Sequence, residues 1–312
     1  MHSGPLFTVV TISYNSARWI QQAIESVLAS SCDDFEYIIA DDCSTDNSWE
    51  IIQSYQNEHI RSWRNPTNIG EYPNRNKALA AAKGKYLLFV DGDDILMKHT
   101  LRNLSEYIQA FPDAAMIWGV SPLHIDFAVM PYLIEPEMMM RLMYETQIPL
   151  ASIGFSETIF RIDTLRRVGN LPERFVVGDT YLKKRIALEE KVLLVSMGFI
   201  FWRRSENQAS QIASKSHRGF IESFLIDCEL LNQCTLPHKQ ELLLLTKASF
   251  LRRLFKHTIR KGKFALFFKL LQQSGLKWSD FRYILKRYPP PYAPVQNTAA
   301  PLMNKFNFTK IK

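Results

Sequence analysis

Three carboxylates are concentrated in the four residues that follow an apolar segment, Tyr86–Val90. They belong to Asp91, Asp93 and Asp94, and Gly92 permits a tight turn between them. Carboxylates this close together repel one another unless a cation neutralises them. Their oxygens suit hard cations such as Mg²⁺ and Mn²⁺, which proteins commonly bind through one or two carboxylates plus substrate phosphates. The segment therefore indicates either a metal and phosphate site or a solvated acidic turn ahead of a helix.

Four further side chains have chemistry that fits a nucleotide and a reacting hydroxyl. Asp42 can accept hydrogen bonds from a base or a ribose, Tyr14 can stack on a base, and Arg75 can bind a diphosphate. Asp179 follows Gly178 ahead of a helical pattern, where a carboxylate can act as a general base. Taken singly, each is explained at least as well by a turn, a surface side chain or a helix N-cap.

Strand and helix patterns alternate over residues 1–120, which predicts an α/β fold. The predicted strands are Leu6–Ile12, Tyr37–Ala40, Ile60–Arg64, Tyr86–Val90 and Ala115–Val120. Such alternation is typical of a mostly parallel sheet with helices on both faces. Ligands bind at the carboxyl ends of the strands in sheets of this kind. Because Asp42 and Asp91 both follow strands, they are expected at one shared site.

The pattern becomes less regular after residue 120. Residues 65–76 predict a loop before a short helix, and residues 126–148 are Met-rich and predict no regular element. The later predicted elements are a strand entering a helix over Glu157–Gly169, a helix over Thr180–Leu188, a strand over Lys191–Ser196 and four helices over Phe220–Leu231, Lys239–Lys261, Phe264–Gln273 and Ser279–Arg287. The predicted domains are a catalytic unit over 1–212, divided near residue 120 into nucleotide-binding and acceptor halves, a basic helical extension over 213–288 and a flexible tail over 289–312.

The basic residues are concentrated toward the end of the chain. The net charge is +7, but residues 213–312 hold about 18 Lys and Arg against about 5 Asp and Glu, so that residues 1–212 are acidic. Apolar and basic residues alternate in this region; they include Leu243, Leu244, Lys247, Phe250, Leu251, Arg252, Arg253, Leu254, Phe255, Lys256, Arg260, Lys261, Lys263, Phe264, Phe267 and Phe268. Such helices either lie on an anionic membrane surface or pack on the catalytic unit.

Other sequence features favour a cytoplasmic protein, at the inner face of the cell membrane if the basic helices contact lipid. No run approaches the roughly 18–20 apolar residues of a membrane-spanning helix, and residues 1–5 lack a signal-peptide pattern. The four cysteines show no paired metal-type spacing and favour a reducing compartment. Nucleic acid is not an expected partner, because no nucleic-acid motif accompanies the basic region.

The order of these motifs resembles family 2 glycosyltransferases with the GT-A fold, of the bacterial surface-polysaccharide type. The segments that carry the resemblance are Phe7–Asn15, Ala23–Leu28, Phe35–Ser48, Asn68–Gly70, Arg75–Ala78, Ala82–Tyr86 and Phe89–Asp94. They cover about residues 5–100 in the family's order. The resemblance implies a GT-A nucleotide-diphospho-sugar transferase fold with a C-terminal helical extension. It also implies a nucleoside-diphosphate sugar donor, with a UDP-sugar favoured, a Mn²⁺ or Mg²⁺ ion, and inverting transfer to a saccharide or lipid-linked acceptor.

The resemblance also assigns roles to individual residues. Asp93 is the first expected metal ligand, with Asp91 and Asp94 as further contacts, and Asp179 is the expected catalytic base. The residues assigned to the nucleotide-sugar are Ile12, Tyr14, Asn15, Asp42, Arg75, Asp91, Gly92, Arg203 and Arg204. Two features depart from the family's pattern: Cys43 stands where a small turn residue is usual, and Lys183 and Lys184 replace aromatic residues after Asp179.

Two other functions share parts of this pattern. A nucleotidyltransferase has a related α/β sheet, but it normally carries a Gly-rich basic phosphate loop near the N-terminus, where this chain has Ser13–Ser16. A non-catalytic nucleotide-sugar-binding module remains an alternative if Asp179 is not positioned for catalysis. A dehydrogenase is not expected, because no Gly-x-Gly-x-x-Gly follows the first strand.

Overall fold

The computed structural model describes residues 4–120, 130–144, 154–196, 198–203 and 217–283. The strands are β1 (Phe7–Ser13), β2 (Phe35–Asp41), β3 (Ile60–Arg64), β4 (Tyr86–Phe89), β5 (Ile95–Leu96), β6 (Met116–Val120), β7 (Tyr132–Ile134), β8 (Thr158–Arg161), β9 (Val192–Ser196) and β10 (Ile200–Phe201). The helices are α1 (Ile20–Leu28), α2 (Ser48–Gln53), α3 (Glu71–Ala81), α4 (Thr100–Ala110), α5 (Pro136–Tyr144), α6 (Ile162–Val168), α7 (Gly178–Glu189), α8 (Arg218–Gln233), α9 (Lys239–His257) and α10 (Phe264–Ser274).

Eight of the described strands form one sheet in the order β3-β2-β1-β4-β8-β6-β9-β7. The first four are parallel, and β6 pairs in parallel with β9. The strands β8 and β7 run antiparallel to their neighbours. The parallel half therefore places the ends of β1, β2 and β4 side by side, as the alternation of elements predicted.

Each face of the sheet is covered by helices, because successive residues of a strand point to opposite faces. In β4, Leu87 and Phe89 join a core with α3, α5, α6 and α7, whereas Tyr86 and Leu88 join a core with α1 and α4. This two-sided burial explains why these strands are nearly continuous apolar runs. It confirms the predicted α/β fold with a mostly parallel central sheet flanked by helices.

The C-terminal helices α8, α9 and α10 pack against one another through apolar contacts, and α8 packs against α7 through apolar and ionic contacts. Phe250, Leu251 and Leu254 of α9 are fully or almost fully buried, together with Phe224 of α8. The helix α8 contacts α7, where Lys184 and Asp227 form an ion pair. The apolar side of α9 therefore faces protein. Among the described residues, no helix has the length and apolar character needed to cross a bilayer.

Four sequence-based predictions about elements were wrong or incomplete. The helix α3 begins at Glu71, six residues before its predicted start, because Pro73 falls in the first turn, where no backbone N–H is needed. Residues 126–148 contain β7 and α5. The two-residue strands β5 and β10 were not predicted. The predicted helix Ser279–Arg287 is instead a 3₁₀ helix over Trp278–Tyr283 within the described residues, and the predicted tail 289–312 lies outside them.

Candidate active site

Asp91 follows β4 and is paired with a buried arginine. The Nη2 atom of Arg75 donates to Asp91 Oδ1 at 2.6 Å, and the same guanidinium contacts Glu71 at 3.2 Å. Arg75 is 3% exposed and lies 4.7 Å from the centre of the Phe89 ring. Its Nη1 atom is buried and has no hydrogen-bond partner among the described residues. Asp91 is thus held by α3, and the guanidinium retains an unused donor.

Asp94 is buried beside its neighbouring carboxylates. Its Oδ1 accepts a hydrogen bond from the backbone N–H of Arg203 at 3.1 Å, whereas its buried Oδ2 has no partner among the described residues. Burial, reinforced by the charges of Asp91 and Asp93, raises the pKa of Asp94 to about 8. Arg203 also donates from Nε to the Asp93 carbonyl at 2.9 Å and lies 3.9 Å from the Trp19 ring centre. Arg203 therefore closes over the acidic turn.

The acidic turn has the donor chemistry that a hard cation requires. Within the described part of the chain, no three His, Cys, Asp or Glu side chains converge as a preformed metal cluster. However, Asp94 Oδ2 is a buried oxygen that lacks a partner, and such atoms in native proteins require an explanation. A divalent cation would neutralise the repulsion between Asp94 and its neighbouring carboxylates, and it would favour the ionised form of this buried carboxyl. Asp93 and Asp94 can therefore offer oxygen ligands, while Asp91 binds Arg75.

Asp42 is buried beneath the loop that leads into α3. Its Oδ1 accepts hydrogen bonds from Asn65 Nδ2 at 2.9 Å and from the N–H of Ile69 at 3.0 Å, and its Oδ2 accepts one from the N–H of Gly70 at 2.9 Å. Gly70 has φ = +94°, which favours glycine. Asp42 lies at the expected edge of the sheet, but its carboxylate binds two backbone N–H groups and a side chain of the protein itself. Its contact with a base or ribose stays a prediction.

The end of β1 lies against the acidic turn. A Cβ atom at Gly92 would stand 3.3 Å from the carbonyl oxygen of Ile12, so glycine allows the two segments to approach closely. Tyr14 is 51% exposed and available for stacking. Asn15 has φ = 52°, and its Oδ1 accepts a hydrogen bond from the N–H of Thr45 at 2.8 Å. The structure thus brings the predicted residues of this edge together.

Asp179 begins α7 and lies beside a tyrosine and a lysine. The Tyr72 hydroxyl donates to the Val176 carbonyl at 2.8 Å and accepts from the N–H of Gly178 at 3.0 Å. The same oxygen is 3.5 Å from Asp179 Oδ1, and Lys183 Nζ is 3.6 Å from Asp179 Oδ2. Burial, followed by the charge of Asp179, raises the pKa of Tyr72. Asp179 is about one-quarter exposed, so that a ligand can reach its carboxylate.

Sequence reasoning missed Glu71, Tyr72 and Glu157. The spacing of Glu71 and Arg75 is that of an i, i+4 helical ion pair, a signal that was hidden because this stretch was predicted as a loop. The contacts of Tyr72 and Glu157 join segments far apart in sequence, so no local pattern indicates them. Arg204, predicted to bind the nucleotide-sugar, lies outside the described residues.

The sheet, with acidic side chains and Arg75 at the carboxyl ends of its parallel strands, defines an α/β protein of the GT-A type. Residues 8–161 of this chain match the model of glycosyl transferase family 2. The predicted resemblance is thereby confirmed.

Similar proteins of known sequence include bacterial surface-polysaccharide enzymes. The putative teichuronic acid biosynthesis glycosyltransferase TuaG of Bacillus subtilis is 41% identical over 119 residues, which are 38% of this chain and 47% of that protein. The poly(ribitol-phosphate) beta-N-acetylglucosaminyltransferase TarS of Staphylococcus aureus is 35% identical over 106 residues, which are 33% of this chain and 18% of TarS. Each match therefore spans less than half of the relative's length.

Two solved structures share the fold over most of this chain. Residues 1–349 of S. aureus TarS in complex with UDP-GlcNAc align with 89% of this chain and 78% of that one, at 21% identity and a TM-score of 0.61. The mannosyltransferase PcManGT of Pyrobaculum calidifontis in complex with GDP-Man and Mn²⁺ aligns with 91% and 87%, at 15% identity and a TM-score of 0.57. At these identities the likeness establishes the fold.

Proposed function

We propose that the protein transfers a sugar from a nucleoside-diphosphate sugar to an acceptor hydroxyl, with inversion at the anomeric carbon. The observation that carries this proposal is the position of α3 between two acidic groups. Arg75, which also pairs with Glu71, contacts the Asp91 side chain on one side, and the Tyr72 hydroxyl lies 3.5 Å from Asp179 on the other. The candidate diphosphate site and the candidate base thus flank one helix turn. This is the arrangement that a displacement between donor and acceptor needs.

The diphosphate end of the donor is expected near Arg75 and Arg203. Arg75 Nη1 is a buried N–H donor without a partner among the described residues, and a diphosphate oxygen would satisfy it. The cation chemistry of the site fits Mn²⁺ or Mg²⁺ held by Asp93 and Asp94. Such a cation would neutralise the negative charge that develops on the leaving diphosphate. Tyr14, exposed at the end of β1, would stack on the base of the nucleotide, for which uridine is favoured.

Asp179 is proposed as the base toward the acceptor. Its carboxylate takes the proton of the acceptor hydroxyl as the acceptor oxygen forms a bond to the anomeric carbon. The bond between that carbon and the diphosphate oxygen breaks, and the nucleoside diphosphate leaves with the electron pair. Because the base and the leaving group lie on opposite faces of the sugar, the configuration is inverted. Lys183 holds the carboxylate in place.

The acceptor is proposed to be a saccharide or a lipid-linked saccharide of bacterial surface-polysaccharide synthesis, reached from the cytoplasmic side. TuaG and TarS, named for teichuronic acid and poly(ribitol-phosphate), support this class of product. A relative from Escherichia coli, 33% identical over 104 residues, is named as a glucosyltransferase that acts on a GlcNAc-diphosphoundecaprenol. These names support a surface glycan as the product and leave its linkage open.

A donor panel tests the activity. Purified protein is incubated with UDP-, GDP- and dTDP-sugars and Mn²⁺, and release of the nucleoside diphosphate is measured with and without saccharide acceptors. We expect release with one nucleotide class. Asp179→Asn should abolish transfer while donor affinity stays within about twofold, because a base acts on the proton and not on the donor. Asp93→Ala should remove the effect of Mn²⁺ on donor affinity.

Asp163→Asn is the matched control, since the Asp163 side chain is 87% exposed on α6. Donor binding without release in any acceptor mixture would favour a nucleotide-sugar-binding module. Near-normal turnover by Asp179→Asn would contradict the assignment of Asp179 as the base. An unchanged effect of Mn²⁺ on donor affinity in Asp93→Ala would contradict the metal site.

A further inference from the structure

Three exposed aromatic side chains form one patch at the C-terminal helices. Phe264 is 58% exposed, Phe268 is 54% exposed and Trp278 is 66% exposed. Phe264 and Phe268 lie one turn apart on the same face of α10. The ring centres of Phe268 and Trp278 are 6.4 Å apart. Trp278 also stacks on Phe281, with ring centres 5.0 Å apart, yet each of the three rings stays more than half exposed. This patch of Phe264, Phe268 and Trp278 is named here the aromatic edge.

A cationic cavity lies close to the aromatic edge. It has a volume of about 250 Å³ and is lined by Phe220, Arg253, Lys256, His257 and Lys261. The chain needs three residues to pass from Lys261 to Phe264, so these Cα atoms are at most about 11 Å apart. No carboxylate lines the cavity within the described residues. An anionic group therefore fits its chemistry.

Most acidic side chains of the C-terminal helices form ion pairs outside the cationic cavity. Four of the five in residues 217–283 form ion pairs, which are Glu222–Arg218, Asp227–Lys184, Glu229–Arg174 and Asp280–Lys247. The fifth, Glu241, is separated from Arg253 by about 18 Å of helix. Within the described part of the chain, no ion pair involves Arg253, Lys256, Lys261, Lys263 or Lys269. Their charge is therefore available to an external anion.

We propose that the aromatic edge and the cationic cavity together form a docking surface for an anionic lipid bilayer. Exposed Phe and Trp side chains beside Lys and Arg are the composition that sits at a membrane interface. The rings enter the boundary between headgroups and acyl chains, and the cations contact lipid phosphates. Phe250, Leu251 and Leu254 of α9 are buried and do not contribute, so the docking surface is only a part of the basic and apolar region that the sequence indicated.

The docking surface is linked to the segment that carries Asp179. Glu222 of α8 accepts a hydrogen bond from the N–H of Val176 at 2.6 Å, two residues before α7 begins. Phe220, which lines the cationic cavity, lies within the same turn of α8. Docking would therefore hold the acceptor side of the candidate active site near the membrane. The position of a lipid-linked acceptor near the active site rests on the proposed function, but the binding of the protein to a bilayer does not.

The test is co-sedimentation of the full chain with vesicles, without donor or acceptor. One set contains phosphatidylcholine, and the other contains equal parts of phosphatidylcholine and phosphatidylglycerol. We expect binding to the second set, weakened by salt. Lys256→Gln with Lys261→Gln should weaken it by about fivefold for each lysine, the contribution of one cation near an anionic surface. Phe264→Ala, Phe268→Ala and Trp278→Ala together should weaken it by at least about tenfold.

The matched control is Lys83→Gln with Lys98→Gln, because both lysines are exposed on the catalytic unit. Far-ultraviolet circular dichroism checks that every variant is folded. The proposal fails if neither vesicle binds, if both bind equally, or if the control loses as much affinity as the docking-surface variants. It also fails if inorganic polyphosphate binds the cavity while vesicles do not, or if the aromatic variant abolishes self-association instead of vesicle binding. A chain without transferase activity that still binds would leave this proposal standing and remove the proposed function.

Discussion

The ammonium group of Lys183 lies 3.6 Å from the carboxylate of Asp179, and the lysine side chain is fully buried. Its nitrogen is also 5.6 Å from the ring centre of Trp118, in the core beneath the sheet. Burial lowers the pKa of Lys183, and the nearby Asp179 opposes that shift. A charged lysine at this position favours the ionised form of a neighbouring carboxylic acid. The aromatic residue usual here in the family would not supply that charge.

Replacing Lys183 by Met should therefore change the pH dependence of catalysis. Loss of the cation makes the base easier to protonate, so the acidic limb of the kcat/KM profile should move to higher pH. On the acidic limb we expect up to about a tenfold loss for each unit of movement, and little loss on the plateau at higher pH. The measurement is kcat/KM from pH 5 to pH 9. Thermal stability should fall, because removing one partner of a buried ion pair leaves the other charge without its counter-ion. The profile is therefore measured well below the melting temperature of the variant.

Lys184→Met is the control for this prediction, because Lys184 pairs with Asp227 and not with Asp179. A uniform loss of activity at every pH in Lys183→Met would indicate a packing role for the lysine. An unchanged pH profile of kcat/KM would mean that Lys183 does not influence the function of Asp179.

Asp42 should matter for stability as well as for nucleotide binding. Asp42→Ala removes three hydrogen bonds to a buried carboxylate, including those from Asn65 and Gly70. We expect the free energy of unfolding to fall by about 3 kcal/mol, measured by urea denaturation without ligand. The exposed Asp163→Ala should change it by less than about 0.5 kcal/mol. An unchanged unfolding free energy with lost UDP affinity would instead assign Asp42 to direct contact with the nucleotide.

The sequence predicted the strands, the helices and the sheet edge shared by Asp42 and Asp91 better than it predicted the contacts between side chains at that edge. Apolar runs define β1, β2 and β4, and the parallel order follows from the helices between them, so Asp42 and Asp91 were expected together. The partners of these residues were not predictable, because they come from distant segments. Lys183 illustrates this: its sequence position marks a departure from the family, but its burial depends on Trp118 of β6. For α9 the sequence left packing on the protein and contact with a membrane as alternatives, because a buried apolar stripe and a lipid-facing stripe have the same spacing.

Asp94 predicts a pH dependence of stability in metal-free buffer. The pKa of Asp94 is about 8 in the folded protein and has its ordinary value of 3.8 in the unfolded chain. Between about pH 4 and pH 8 the folded state therefore holds a proton that the unfolded state lacks. The free energy of unfolding should fall as pH rises through this window, on the order of 1 kcal/mol per pH unit.

Asp94→Asn should remove this dependence, because the amide does not titrate. The difference between wild type and variant in urea denaturation from pH 5 to pH 8 isolates the contribution of Asp94. Adding Mn²⁺ at pH 8 should stabilise the wild type more than the variant if Asp94 binds the cation. Parallel pH profiles for the two proteins would contradict the raised pKa.

Glu157 should control donor binding from a distance through the segment 198–203. Its buried carboxylate accepts hydrogen bonds from the N–H groups of Gly198, Phe199 and Ile200 at 3.2–3.3 Å. This segment contains β10, which pairs with β5 beside the acidic turn. It ends at Arg203, whose N–H binds Asp94. Glu157→Ala should free the segment and raise the KM for the donor by about tenfold, with a smaller effect on kcat.

A second substitution tests the same contact from the opposite side. A Cβ atom at Gly119 would stand 2.5 Å from a carboxylate oxygen of Glu157, so Gly119→Ala must displace that carboxylate. We expect the same increase in KM from Gly119→Ala, and none from Glu106→Ala, whose side chain is 65% exposed. The two site variants combined should be no worse than either one, because both disrupt one contact. Additive effects would show that they act separately, and an unchanged KM in Glu157→Ala would mean that Arg203 holds its position without this anchor.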